Sequence, residues 1–194
     1  MLSVSEIARG TQGAVRFLAR DPAALGHFDN TFEACLRSFR TMVLAAPLFA
    51  VYLLLYYSKV EAGADEGEII AVEALHFVVD WLFFPVLFYE IARQQKWLDR
   101  YPRYIAGLNW INLLVMLLAV LTFMVALVVP RAVGEVLDVA MEFLYFYWFL
   151  MLTRISLGIG WPLSILMLIV NWVPSFFLSL IVERVLGVVA VSGA

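Results

Sequence analysis

Residues 69–92 read Ile69-Ile-Ala-Val-Glu73-Ala-Leu-His76-Phe-Val-Val-Asp80-Trp-Leu-Phe-Phe-Pro85-Val-Leu-Phe-Tyr-Glu90-Ile-Ala92. At ~1.5 Å of helix rise per residue this run is long enough to cross the ~30 Å hydrocarbon core of a bilayer. Glu73, His76 and Asp80 interrupt it. An aspartate at the centre of a span costs about 2.5–3.5 kcal/mol, so such groups face a partner, a cavity or a pathway. Spacings of three and four put all three within an arc of about 60° on one helix face. The stretch therefore predicts a transmembrane helix with a one-sided polar stripe.

The rest of the chain agrees. Its 194 residues are 64% hydrophobic and 15% charged, with a mean hydropathy of +0.91. Soluble domains are about half apolar and about a quarter charged, so the chain falls outside that class. A net charge of -3 without a basic tract excludes nucleic-acid binding as an expectation. Cys35 is the only cysteine, so neither an intrachain disulfide nor a Cys-based metal site is expected. With only His27 and His76, multi-histidine di-iron chemistry is excluded too.

Five spans are expected: Thr41 to Tyr57 with Pro47 as a kink, Ile69 to Ala92, Ile105 to Val129, Val136 to Thr153, and Pro162 to Val182. The first and fourth look short, the fourth because Asp138 and Glu142 interrupt its start. Residues 1–40 form a cytoplasmic amphipathic segment and residues 41–194 the five-helix transmembrane domain. In the segment, Val4, Ile7, Ala8, Ala14, Val15 and Leu18 recur at helical spacing opposite Arg9, Arg16 and Arg20. That pattern suits an interfacial helix, or a helix packed against the end of the bundle. Asp21-Pro22 stops it, and Asn30 with Glu33 reads as a capping box for the next helix. The fold class is thus all-α, a polytopic membrane helix bundle with an N-terminal amphipathic interfacial helix. Residues 1–20 lack the apolar core of a signal peptide, Leu2 excludes myristoylation, and the tail Val-Ser-Gly-Ala is no prenylation box.

Lys and Arg set the orientation. Arg9, Arg16, Arg20, Arg37 and Arg40 precede the first span, Arg93, Lys96, Arg100 and Arg103 follow the second, and Arg154 follows the fourth. The other side holds Lys59, Arg131 and Arg184. This bias places the N-terminus in the cytoplasm and the C-terminus outside. Compact loops and the bias together point to a bacterial inner membrane, with an endomembrane as the open alternative. Tyr56, Tyr57, Trp97, Tyr101, Tyr104 and Trp161 sit at span boundaries as aromatic anchors.

Depth suggests partners for the stripe. Glu142 should lie level with Glu73, and Asn171 level with Asp80 near the midplane. A carboxyl bonding His76, Asn171 or a tyrosine such as Tyr145 or Tyr147 across helices is the structural reading. A proton or cation pathway is the functional one. A divalent metal on Glu73, His76 and Asp80 lacks any recognised motif, so no metal and no cofactor is expected. Asn109 and Asn112, one turn apart, should bond a neighbouring helix. Arg93, Lys96, Arg100, Arg103 and Arg154 are candidates for anionic lipid headgroups, the first four also for a cytoplasmic partner. No nucleophile elbow, His-Glu-x-x-His pair or phosphate-binding glycine loop is present, so no enzyme is expected.

The five-span plan behind a short cytoplasmic segment resembles the Yip1-like membrane proteins. The stretch from Phe28-Asp29-Asn30-Thr31-Phe32-Glu33 through Arg37-Ser38-Phe39 also resembles uncharacterised proteobacterial membrane proteins of similar length. The resemblance implies a membrane-organising or adaptor role and carries over no functional residues. The expectation is a non-enzymatic adaptor, scaffold or membrane-organising subunit that binds the lipid bilayer, a membrane-protein partner or a second copy of itself. The alternative is a small proton- or cation-linked transporter or channel component using the Glu73/His76/Asp80 face.

Overall fold

In hydrocarbon an open chain can satisfy its backbone polar groups only by closing them into helices, and the apolar runs fold accordingly. The computed structural model describes residues 2–190, and its long elements are all helical. Helix α1 (Val4–Leu18) and a 3-10 turn (Pro22–His27) lead into α2 (Phe32–Ser38) and α3 (Arg40–Tyr57). Four long helices follow: α4 (Glu66–Gln94), α5 (Tyr101–Ala126), α6 (Arg131–Leu157) and α7 (Trp161–Leu186). A two-residue strand β1 (Val60–Glu61) pairs antiparallel with β2 (Val189–Ala190). The tail residues 191–194, read for a prenylation box, lie outside the described residues.

Five helices are long and apolar enough to cross a membrane. All five are longer than hydropathy predicts, the first and fourth by the most. The first covers Phe32–Tyr57, 26 residues, because α2 leads into α3 with only Phe39 between them. The fourth covers Arg131–Leu157, 27 residues, starting directly after Pro130. Hydropathy marks the apolar part of a helix, whereas its ends are set by caps and prolines. Asp138 and Glu142 therefore do not shorten α6. The third starts one turn earlier than expected, at Tyr101 with Pro102 in its first turn, where proline's missing N–H is harmless. Helix α3 runs through Pro47.

The expected capping box at Asn30 is corrected. Thr31 caps α2, its Oγ1 accepting from the Ala34 amide at 3.2 Å. Asn30 instead donates to the Asp99 carbonyl and accepts from the Arg103 amide, tying the N-terminal segment to the α4–α5 loop. At the α2–α3 joint, Ser38 Oγ donates to the Cys35 carbonyl at 2.6 Å and Thr41 Oγ1 to the Ser38 carbonyl at 2.7 Å. Those hydroxyls satisfy acceptors where the helix breaks at Phe39.

Helix α5 is the centre of the bundle, with α3 on one side, α6 on the other, and α1 and α2 against its first half. Helix α7 bridges α6 and α4. Lipid tails are as apolar as leucine, so close packing and interhelical hydrogen bonds hold such helices together. Every residue from Tyr104 to Ile111 is buried.

Helix α1 packs onto the bundle. Its buried face is Gly10, Gly13, Ala14 and Phe17, while Val4 and Val15, assigned to the apolar face from sequence, are exposed. A Cβ at Gly10 would collide with the Trp110 indole. Trp148 Nε1 donates to the Ala14 carbonyl at 2.7 Å, and Tyr147 Oη to that of Leu18 at 3.3 Å. At the helix start the Ser3 amide and hydroxyl, and beyond them Arg37, hold the Glu6 carboxyl below the ordinary carboxylate range.

Candidate functional site

The stripe on α4 divides into two parts. Glu73 is buried, with only 5% of its surface exposed. Tyr57 Oη, from the last turn of α3, donates to its Oε1 at 2.8 Å. His76 Nδ1, one turn along α4, lies 3.1 Å from its Oε2. Both carboxyl oxygens are therefore engaged, one within α4 and one across to α3.

Asp80 lies one turn beyond His76 and has no hydrogen bond to any described residue. Its side chain is exposed, on the wall of a cavity of about 260 Å³. Helices α3 to α7 all contribute to that cavity, through residues such as Phe49, Trp81, Asn112, Tyr145 and Trp172. Also lining it, Tyr145 Oη donates to Asn171 Oδ1 at 2.6 Å. Asn171 is thus brought to the same cavity as His76 and Asp80, but its bond is to Tyr145.

Glu142 does not join them. It is exposed, has no hydrogen bond to a described residue, and does not line the cavity. Helix α6 is buried mainly over its second half, from Trp148 to Leu157, with Gly134 the only buried residue before that. Equal depth sets the height of a residue, not its contact with a neighbour. The partner that Glu73 does have, Tyr57, carried the signature of a boundary anchor. A tyrosine ending one span level with an acid entering the next is the signal that could have found it.

The two asparagines of α5 also separate. Asn109 is fully buried; its Oδ1 accepts from Trp81 Nε1 at 3.0 Å and its Nδ2 donates to Ser38 Oγ at 2.8 Å. It joins α2, α4 and α5. Asn112 makes no such bond and lines the cavity instead.

A second space lies beside the first. Helix α3 packs mainly on α5 and α4 on α7. Between α3 and α4 this leaves a groove of about 1030 Å³, running from Met42 on α3 to Ser58 just past its end, and from Glu66 to Val78 on α4. Its lining is almost wholly apolar, with Tyr57, Ser58 and Glu66 gathered at one end. Phe49 and Phe77 stack at 4.8 Å between ring centroids, and both border the groove and the cavity.

The basic candidates have internal duties. Arg93 pairs with Glu90 at 2.8 Å. Arg100 donates to the Leu157 carbonyl at the end of α6, and Arg103 to the Phe28 carbonyl at 3.1 Å. Arg154 stacks on Trp161 at 3.9 Å. Lys96 is exposed, at a left-handed backbone position with φ 60°. Among the described residues no three His, Cys, Asp or Glu side chains group to hold a metal ion.

No family model, no curated protein and no solved structure matches this chain.

Proposed function

We propose that this is a non-enzymatic integral membrane protein that binds bilayer lipid in the groove between α3 and α4 and serves as a membrane-organising subunit. The groove carries this reading. It follows α3 for about 24 Å, at ~1.5 Å per residue, which is most of a hydrocarbon core. Its volume of about 1030 Å³ lies at the upper end of the ~300–1,000 Å³ usual for ligand clefts. Polar groups stand at one end only, and that polarity matches a lipid with its headgroup beside Tyr57 and Glu66 and its chain along Ala46, Ala50 and Phe77. The proposed setting is a bacterial inner membrane with the N-terminus cytoplasmic, as the Arg and Lys distribution favours. The Yip1-like layout supports an organising role.

Native mass spectrometry of protein released from nanodiscs tests this. The parent should retain lipid, and Ala46→Phe with Ala50→Phe, which fill the groove, should lose most of it. Equal retention by the filled variant would remove the lipid reading.

One observation favours a second reading, proton-linked transport. Tyr57, Glu73 and His76 form a hydrogen-bonded run from the end of α3 to within one turn of Asp80. In proteoliposomes such a pathway would give a proton flux abolished by Asp80→Asn or Glu73→Gln. A parent without flux would eliminate it.

A further inference from the structure

The cavity around Asp80 combines a carboxylate without a hydrogen bond to any described residue with several aromatic side chains. Trp81, Trp172, Phe77 and Phe84 all line it, and among the described residues no lysine or arginine does. His76 lines the cavity beside Asp80, but its Nδ1 is engaged by Glu73, and Asp80 forms no ion pair with any described residue. An ionised carboxylate in an apolar span needs a cation beside it. The aromatic faces are attractive to a cation too, tryptophan most of all.

The walls are held in place before any ligand arrives. Trp81 is fixed through its Nε1 bond to buried Asn109. Trp172 stacks on Phe176 with centroids 5.2 Å apart, and Phe77 on Phe49 at 4.8 Å. Preorganised aromatic walls around one carboxylate suit an ion that is weakly hydrated and carries its own apolar surface. Magnesium or calcium would need a shell of several oxygens, whereas Tyr145, Asn171 and Ser175 on these walls are already bonded to one another, which leaves Asp80 and Asn112. A cavity of about 260 Å³ sits just below the usual ~300–1,000 Å³ of ligand clefts, so the ligand is compact.

We propose that this cavity binds a compact organic cation, an ammonium ion with small apolar substituents, with Asp80 as counter-ion and Trp81, Trp172 and Phe77 as its aromatic walls. The site adjoins the lipid groove, sharing Phe49 and Phe77 with it, but Asp80 and Trp172 lie outside the groove; it shares Asp80 with the transport reading and adds an organic ligand to it. Lipid retention and cation binding can therefore fail independently of each other.

The test is equilibrium binding of radiolabelled tetraethylammonium to the full chain in nanodiscs, corrected for empty discs. Saturable binding is expected, with Asp80→Asn weakening it at least tenfold and Trp172→Leu several-fold. Asp80→Glu should retain it, and Glu142→Gln, outside the cavity, should leave it unchanged. Benzenesulfonate and equimolar sodium chloride should not compete. Absence of saturable binding, parent-like affinity in Asp80→Asn, or equal competition by the sulfonate or by sodium would each overturn the proposal. Should Asp80→Asn fail to insert, Trp172→Leu decides alone: unchanged affinity there overturns the aromatic site. A cation site that fails while lipid retention persists would leave the groove reading intact.

Discussion

Removing the amide of Asn109 would strand two polar groups in a dry interior: the Trp81 indole N–H and the acceptor side of Ser38 Oγ. Interhelical hydrogen bonds in membrane proteins average ~0.6 kcal/mol and reach ~1.7, and an unsatisfied buried group costs about 1–3 kcal/mol. Asn109→Leu, which keeps the volume, should therefore lower unfolding free energy by about 1–3 kcal/mol. Asn112→Leu, three residues on and without a bond to lose, should stay within ~0.5 kcal/mol of the parent. Steric trapping or a detergent unfolding titration of the two variants measures the difference. Equal losses would show that the Asn109 bonds add nothing beyond packing. Sequence places both asparagines on the same helix at the same kind of depth. What separates them is which neighbour stands opposite, and a single chain's hydropathy does not contain that angle.

The docking of α1 rests on the absence of side chains at Gly10 and Gly13, so its prediction belongs to the element. The Cβ of Gly10→Ala would meet the Trp110 ring, and overpacking of this kind costs typically ~1–3 kcal/mol. The helix should loosen from the bundle while α3 to α7 remain folded. Hydrogen exchange should then show α1 amides losing about fivefold or more in protection, as an opening easier by that energy implies. Gly26→Ala is the control, since nothing lies within 4 Å of its added Cβ. If both variants exchange alike, tight contact is not what holds α1. The same two glycines explain why the buried face of α1 differs from its hydrophobic pattern. A hydrophobic pattern credits Val4 and Val15 and gives glycine no weight, yet the approach of an indole ring requires glycine. The long helices were legible for the opposite reason, because apolar residues add up over about twenty positions and single polar interruptions barely change the sum. The stripe itself was legible from its spacings of three and four. Its division into a paired Glu73–His76 and an unpaired Asp80 was not, because it depends on how α3 and α7 stand around α4.

At the scale of the whole molecule, five crossings put the two chain ends on opposite sides, and charge decides which side is which. All thirteen Lys and Arg except Lys59, Arg131 and Arg184 lie at the end that carries α1, α2 and the α4–α5 loop. Several are ion-paired, as Arg9 is with Asp29 at 2.6 Å and Arg93 with Glu90 at 2.8 Å. Pairing does not cancel their topological effect, since the bias counts Lys and Arg and acidic residues contribute little. The proposed orientation therefore predicts that a C-terminal green fluorescent protein fusion stays dark in bacteria and that a C-terminal alkaline phosphatase fusion is active. A bright fluorescent fusion would overturn the orientation or the number of crossings. The outcome also bears on the groove, because Tyr57, Ser58 and Glu66 stand at the end opposite the arginine-rich one. With the N-terminus cytoplasmic, the headgroup of the bound lipid belongs to the outer leaflet. A lipid analogue confined to that leaflet should then crosslink to α3 near Tyr57, and one confined to the inner leaflet should not. Crosslinking only from the inner leaflet would contradict the placement of the headgroup even if the fusions report the expected topology.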